Sequence, residues 1–101
     1  MKGNFNQLIH GEKPVLIDFY ATWCGPCKAL EPTIQAVAAS MKSKIKVIKI
    51  DVDKNQTLAN KLNVRGVPTL VLFQKGKIIW RQSGGQTKDQ IISMIEKNVS
   101  A

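Results

Sequence analysis

The chain has 101 residues, with 15 Lys and Arg against 7 Asp and Glu, which gives a formal net charge of +8. That length suits one hydrophobic core, so we predict a single domain over residues 1–101. Hydrophobic residues make up 44% and charged residues 22%, which excludes a disordered tail, and no apolar run reaches the roughly 18–20 residues that span a bilayer.

Apolar periodicity predicts that the first half of the chain alternates between helices and strands. In chain order the predicted elements are a short helix capped by Asn4 that carries Phe5, Leu8 and Ile9, a buried strand over Val15–Tyr20, a helix after Cys24 that buries Leu30, Ile34, Val37 and Met41, and a strand over Lys44–Val52. The polar residues 1–11 lack the apolar core of a secretory signal, so a cytoplasmic protein is expected.

The second half continues the alternation and adds a hairpin. Its predicted elements are a short helix ending at Asn63, strands over Thr69–Gln74 and Lys77–Gln82 joined by the turn Lys75-Gly76, and a helix opened by the capping box Thr87–Gln90 that buries Ile91, Ile92, Ile95 and Val99. Strands that alternate with helices and then form a hairpin predict an α/β fold, with a mixed sheet covered by helices on both faces.

The only two cysteines, Cys24 and Cys27, follow the buried strand at the start of the long helix. Residues three apart are neighbours in a helical turn, so the two sulfurs can close a disulfide. The unpartnered N–H groups and the helix dipole there should lower a thiol pKa from its ordinary value of about 8.5. Cys24, nearer the exposed loop, is predicted to attack a substrate disulfide, and Cys27 to resolve the mixed disulfide.

Other uses of these residues fit less well. Structural zinc takes four ligands, and the chain offers only His10 besides the two cysteines, so no metal is expected, although a metal shared across a dimer stays open. Nucleic-acid binding would need aromatic residues among the basic ones. No aromatic residue lies among the densest lysines, so we expect a solvated surface and no nucleic-acid partner; these lysines are Lys42, Lys44, Lys46 and Lys49.

The stretch Asp18–Lys28, with Pro32 after it, resembles the active-site segment of the thioredoxin family. Lys49–Asp53 and Val64–Thr69 are similar to further segments of that family in the same order, as is Gly84, so the resemblance runs from Val15 to the C-terminus. It implies the thioredoxin fold and a dithiol that reduces protein disulfides. It also implies no bound cofactor, and recycling by a thioredoxin reductase.

The resemblance also implies roles for individual residues. Asp18 becomes a buried carboxylate that assists proton transfer at Cys27, with Lys49 near it; the plain alternatives are an exposed strand end for Asp18 and an ordinary surface lysine for Lys49. Pro68 is expected to follow a cis bond. The implied substrate-contact residues surround the attacking sulfur and are Trp23, Gly25, Pro26, Gly66, Val67, Pro68 and Gly84.

Two features depart from the family pattern. Tyr20 stands where the family usually carries a Trp. The chain begins three residues before its first predicted helix, so the family's first strand is predicted to be absent, which leaves four strands with Lys44–Val52 at the sheet edge. Lysines discourage pairing at a sheet edge, so Lys44 and Lys46 favour a monomer.

Two other functions stay open at this point. A disulfide oxidase or isomerase uses the same fold in the opposite direction, and reducing thioredoxin and oxidising DsbA differ by roughly 150 mV. The Gly25-Pro26 dipeptide resembles the reducing members of the family. The second alternative is a binding module that uses the fold without any redox chemistry.

Overall fold

The computed structural model describes residues 5–100, which form four helices and four strands. In chain order these are α1 (Phe5–Ile9), β1 (Val15–Tyr20), α2 (Gly25–Met41), β2 (Lys46–Asp51), α3 (Gln56–Lys61), β3 (Thr69–Gln74), β4 (Lys77–Ser83) and α4 (Lys88–Asn98). Within residues 5–100, no helix combines the length and the apolar character that crossing a bilayer requires.

The four strands form one mixed sheet in the order β2-β1-β3-β4. β1 runs parallel to β2 and antiparallel to β3, and β3 and β4 form the predicted hairpin. Its turn residues Lys75 and Gly76 have φ of 53° and 81°, the pair of positive values that a two-residue type I′ turn needs. β1 and β3 lie inside the sheet and are buried on both faces, which explains their continuous apolar sequences.

Alternate side chains of the sheet enter two cores. Leu16 of β1 packs with α2 and α4 on one face, whereas Ile17 packs with α1 and α3 on the other. The long helix α2 continues through Pro32 and buries the four apolar positions that its spacing predicts. Trp80 is partly buried and packs against the core on the α2 and α4 side. Helices therefore cover both faces, and the predicted architecture is confirmed.

Several details differ from the sequence-based expectations. β2 ends at Asp51, one residue before the predicted end. α4 ends at Asn98 and buries only Ile91 and Ile95 fully, whereas Ile92 and Val99 are partly buried. β2 begins at Lys46 because the backbone N–H groups of Lys44 and Ile45 still donate to the Met41 carbonyl in the turn that ends α2. The short helix α3 ends at Lys61, two residues before the expected position. β4 extends one residue further than predicted, to Ser83. The predicted cap at Asn4 lies outside the described residues.

The outer side of β2 is a sheet edge in the part of the chain that the structure describes, where no further strand pairs with it. Lys46 lies on this edge and is exposed, as predicted, but Lys44 lies in the preceding turn. The predicted absence of the family's first strand concerns residues 1–3, which lie outside the described residues.

Candidate active site

The two cysteines lie where β1 passes into α2. Cys24 is the N-cap residue of α2, with extended backbone angles of −87° and 111°, and Cys27 lies in the first helical turn. Their Cα atoms are 5.2 Å apart and the sulfurs are joined as a disulfide. That separation lies within the range that a disulfide spans without moving the backbone, so the pairing predicted from the spacing is confirmed.

The helix start favours negative charge on Cys24. The backbone N–H of Cys27 donates to Cys24 Sγ across 3.1 Å, so the sulfur occupies the place of a capping oxygen. Pro26 stands within the first turn of α2. Its missing N–H costs no hydrogen bond there, because N–H groups of the first turn have no carbonyl partner within the helix. A thiolate at Cys24 would therefore receive a hydrogen bond and the positive end of the helix dipole, whereas Cys27 lies one turn further in.

Exposure does not distinguish the two cysteines in the oxidised protein. Cys24 is 4% exposed and Cys27 is 5% exposed, so in the disulfide-bonded form the two side chains are equally buried. The physical reason is that both sulfurs pack into a small cluster with Ala21, against Tyr20 and Val67. The difference between the cysteines therefore rests on their positions at the helix start.

The chain segment opposite Cys24 contains the Val67-Pro68 peptide bond, which is cis as expected. The carbonyl oxygen of Val67 lies 3.7 Å from Cys24 Sγ. The N–H of Gly84 donates to the Pro68 carbonyl across 2.9 Å, and Gly84 has a φ of +93°, a conformation that favours glycine. This contact joins the Val67-Pro68 segment to the chain after β4.

The surface around the disulfide carries few bulky side chains. Gly25 and Gly66 face open space, because a Cβ atom at either position would have no neighbour within 4 Å. Trp23 is the exception, with 69% of its surface exposed. Its indole N–H donates to Asp53 Oδ2 across 2.7 Å, which holds the ring beside the disulfide.

Behind the disulfide lies a cavity of about 230 Å³ that Asp18 and Cys27 both line. Asp18 is 2% exposed, and its Oδ1 has no hydrogen-bond partner. Burial raises the pKa of Asp18 to about 6; the nearby charge of Lys49 opposes this rise and that of Glu31 adds to it. The carboxyl is thus buried, as the resemblance implies, and can gain or lose a proton near neutral pH.

Lys49 lies at the side of this cavity, directly across from Asp18 in the β1–β2 register. Its Nζ is 3.3 Å from Glu31 Oε1 and 4.6 Å from the centre of the Tyr20 ring. The Tyr20 ring therefore offers a cation–π contact to Lys49 where the family usually has Trp. The Lys49 and Glu31 side chains are 37% and 46% exposed, so this ion pair lies where the cavity meets solvent.

Two residues near the disulfide were missed by the sequence reasoning. Glu31 follows Cys27 by four positions, which places both on one side of α2, and that spacing was an available signal. Asp53 follows the end of β2, and the ends of neighbouring parallel strands meet at one edge, so its approach to Trp23 after β1 could also be expected. Among residues 5–100, no three His, Cys, Asp or Glu side chains are grouped as a metal site.

Comparisons with known proteins agree with this geometry. The family model "Thioredoxin" matches residues 1–97. A thioredoxin-like protein of Synechocystis is 42% identical over 94 residues, which cover 92% of this chain and 90% of that protein. Chloroplastic thioredoxin Y1 of Arabidopsis thaliana is 42% identical over 92 residues, or 91% of this chain, which spans 54% of that relative's length.

A solved structure shows the same fold. A mutant thioredoxin from Halobacterium salinarum superposes with a TM-score of 0.90 at 40% identity, over 100% of this chain and 88% of that one. The likeness covers the sheet, the helices and the cysteine-bearing start of α2. The chain therefore belongs to the thioredoxin family, and the Cys24–Cys27 disulfide, part of the chain itself, is the redox group of a thiol–disulfide oxidoreductase.

Proposed function

We propose that this protein reduces disulfide bonds in other proteins, with Cys24 as the attacking thiolate and Cys27 as the resolving thiol. The observation that carries the assignment is the hydrogen bond from the Cys27 N–H to Cys24 Sγ at the start of α2. That contact stabilises a thiolate on Cys24, and the thiolate is the form that attacks disulfides.

The reaction proceeds in two exchange steps. Cys24 thiolate attacks one sulfur of the substrate disulfide, which breaks the substrate S–S bond, forms a mixed disulfide with Cys24 and releases the first substrate thiolate. Cys27 then attacks Cys24 Sγ, which forms the Cys24–Cys27 disulfide and releases the second substrate thiolate. Two electrons pass from the dithiol to the substrate, whose two thiolates take up protons.

Asp18 is proposed to accept the proton that Cys27 loses before it attacks. Both groups line the same cavity, which at about 230 Å³ has room for several water molecules to carry the proton. A pKa of about 6 suits this task, because the carboxyl is mostly ionised near neutral pH and can take up a proton. Lys49 is proposed to assist by holding positive charge at the side of the cavity.

The substrate is proposed to lie as an extended segment against the Val67 backbone. Main-chain groups there can pair with the substrate backbone as a neighbouring strand would, which holds the substrate disulfide over Cys24. The open positions of Gly25 and Gly66 leave room for this approach. The proposed contact residues are Trp23, Gly25, Pro26, Gly66, Val67, Pro68 and Gly84.

The pair of single-cysteine variants tests this function, and each serves as the control of the other. With a disulfide-bonded protein as substrate, Cys24→Ser should abolish reduction. Cys27→Ser should still attack but stop at the mixed disulfide, which non-reducing electrophoresis and mass measurement detect. A Cys24→Ser variant that kept full biological activity would instead indicate a binding module. A mixed disulfide between the substrate and Cys27 in Cys24→Ser would show that the roles of the two cysteines are reversed.

The protein is proposed to be one domain over residues 1–101, to act in the cytoplasm and to receive its electrons from a thioredoxin reductase. Catalytic reduction of the Cys24–Cys27 disulfide by such a reductase is the test, and a protein that this enzyme leaves oxidised would need another electron source.

A monomer is proposed because Lys46 places charge on the exposed β2 edge. Sedimentation should show one species of monomer mass. Lys46→Val should promote association, because it leaves an uncharged strand edge, while Lys44→Val should have a smaller effect because Lys44 lies in the preceding turn. An association caused equally by both variants would contradict this role of the edge.

A further inference from the structure

We propose that Arg81 of β4 is a positioning residue for substrate binding, because it braces the loop formed by residues 62–68, which carries the Val67 backbone opposite Cys24. The inference deepens the proposed function and rests on Val67 being a substrate contact. Arg81 does not itself approach the disulfide; it acts through the loop.

The loop begins at a helix end whose carbonyl groups need partners. After α3, Asn63 adopts a left-handed φ of 57°, and its N–H donates to the Asn60 carbonyl across 3.1 Å. The N–H of Val64 donates to the Ala59 carbonyl across 2.8 Å, which completes a Schellman motif. These bonds use carbonyls inside α3 and leave those of Leu62 and Asn63 pointing out of the helix.

Arg81 binds both of these carbonyls. Its Nη1 donates to the Leu62 oxygen across 2.7 Å and its Nη2 donates to the Asn63 oxygen across 3.1 Å. The planar guanidinium offers two donors in fixed geometry, so it sets the direction of the chain as well as its distance. A lysine ammonium at the same position has no such fork.

The register explains how β4 reaches this loop. Arg81 lies directly opposite Val71 of β3, and opposite residues project from the same face of a sheet. Val71 belongs to the core that packs with α3, and Leu62 and Val64 pack into the same core. Arg81 therefore emerges on the α3 side, beside the carbonyls that it binds.

The other end of the loop is held from the same strand. Thr69 Oγ1 donates to the Gly66 carbonyl across 2.6 Å and lies 3.1 Å from Ser83 Oγ. The N–H of Gly84 donates to the Pro68 carbonyl. Only Val64 and Arg65 separate the Asn63 carbonyl from the Gly66–Pro68 segment, which contains the half-buried Val67. A shift at the Arg81 end should therefore displace the backbone that meets the substrate.

The test uses three variants of the full chain. Arg81→Met removes the brace, Arg81→Lys keeps the charge but not the fork, and Lys77→Met removes a cation from the far end of β4, where the strand pairs with Gln74. Each is measured for kcat and KM with a disulfide-bonded protein, for its rate with a small aromatic disulfide, and for amide hydrogen exchange at residues 64–67.

Both Arg81 variants should raise KM for the protein substrate, by about tenfold for the loss of both hydrogen bonds, with kcat within about twofold of the wild type. Exchange at residues 64–67 should accelerate, and the rate with the small disulfide should stay unchanged because Cys24 is untouched. Lys77→Met should match the wild type in every measurement.

A KM that is raised in Arg81→Met but equals the wild-type value in Arg81→Lys would overturn the proposal. The positive charge of residue 81, and not the forked geometry of the guanidinium, would then account for substrate binding. Unchanged exchange at residues 64–67 in both Arg81 variants, or an unchanged KM in Arg81→Met, would overturn it as well. Failure of the proposed function is distinguishable from these results, because the wild-type protein itself would then fail to reduce the protein substrate.

Discussion

The two sides of the Cys24–Cys27 disulfide are built from different groups. On the substrate side, Cys24 meets a main-chain carbonyl, that of Val67, across 3.7 Å. On the inner side, Cys27 shares a cavity with Asp18, and the Lys49–Glu31 ion pair lies at its border. Opposite Cys24 the substrate side thus presents backbone, with the exposed Trp23 ring beside it, whereas the inner side presents ionisable side chains.

This difference separates two tasks. Main-chain groups are the same at every residue, so a surface made of them can receive substrates of unrelated sequence. Its shape depends on backbone conformation and responds little to pH. The inner side handles a proton, and its properties depend on the charge state of three side chains. Changes to backbone conformation should therefore alter substrate binding, and changes to charge should alter the pH dependence.

The largest expected effect is on the inner side, in Asp18→Asn. The folded protein holds its Asp18 proton up to a pH of about 6, whereas the unfolded chain releases it near pH 4. The wild type therefore loses stability as pH rises between these values and stays less stable above them. The free energy of unfolding of the variant relative to the wild type should rise across this range by on the order of 3 kcal/mol.

Denaturant unfolding of the oxidised protein at pH 3.5 and pH 8 measures this difference without a contribution from Cys27 thiol. Release of the second substrate thiol should also slow in Asp18→Asn, because the variant cannot accept the proton from Cys27. A stability difference that is the same at both pH values would contradict the burial of a titrating carboxyl.

On the substrate side, Gly84→Ala should destabilise the protein by about 1 to 2 kcal/mol, because a side chain is strained at a φ of +93°. It should also raise KM for a protein substrate through the contact with Pro68, and leave the titration of Asp18 unchanged. Gly85→Ala is the matched control, since Gly85 has open space and no such φ, and it should be neutral within about 0.5 kcal/mol. Equal effects of the two variants would remove the backbone argument.

The smallest expected effects are shifts of the Asp18 titration midpoint, followed by NMR of its carboxyl carbon in the oxidised protein. Lys49→Met should raise the pKa of Asp18, because it removes the positive charge that lowers it. Glu31→Gln should lower the pKa, because it removes a negative charge and releases Lys49 from its ion pair. Neither variant should change KM for a protein substrate, and shifts in the same direction would contradict this arrangement of charges.

The inner strands and the cysteine pair could be predicted because local patterns determine them. Val15–Tyr20 and Thr69–Gln74 match the observed strands residue for residue, since a strand buried on both faces reads as one apolar run. The cis bond before Pro68 was predicted only from the family resemblance, because most X–Pro bonds in folded proteins are trans.

Features that depend on side chains from distant parts of the chain were not predicted. The equal burial of the two cysteines depends on how Val67 packs against them, 40 or more residues away. The brace from Arg81 joins β4 to the end of α3 and requires the three-dimensional register of the hairpin. Glu31 is visible in the helix pattern, but its ion pair with Lys49 needs the position of β2.

The reducing direction of the reaction is the central claim, and the equilibrium reduction potential of the Cys24–Cys27 couple against a glutathione buffer tests it most directly. About 150 mV separates reducing thioredoxin from oxidising DsbA, the two ends of the range known for this chemistry. We predict a potential more negative than that of the glutathione couple, so that the dithiol gives its electrons to protein disulfides. A potential near the oxidising end would contradict the reductase assignment and indicate a protein that forms disulfides.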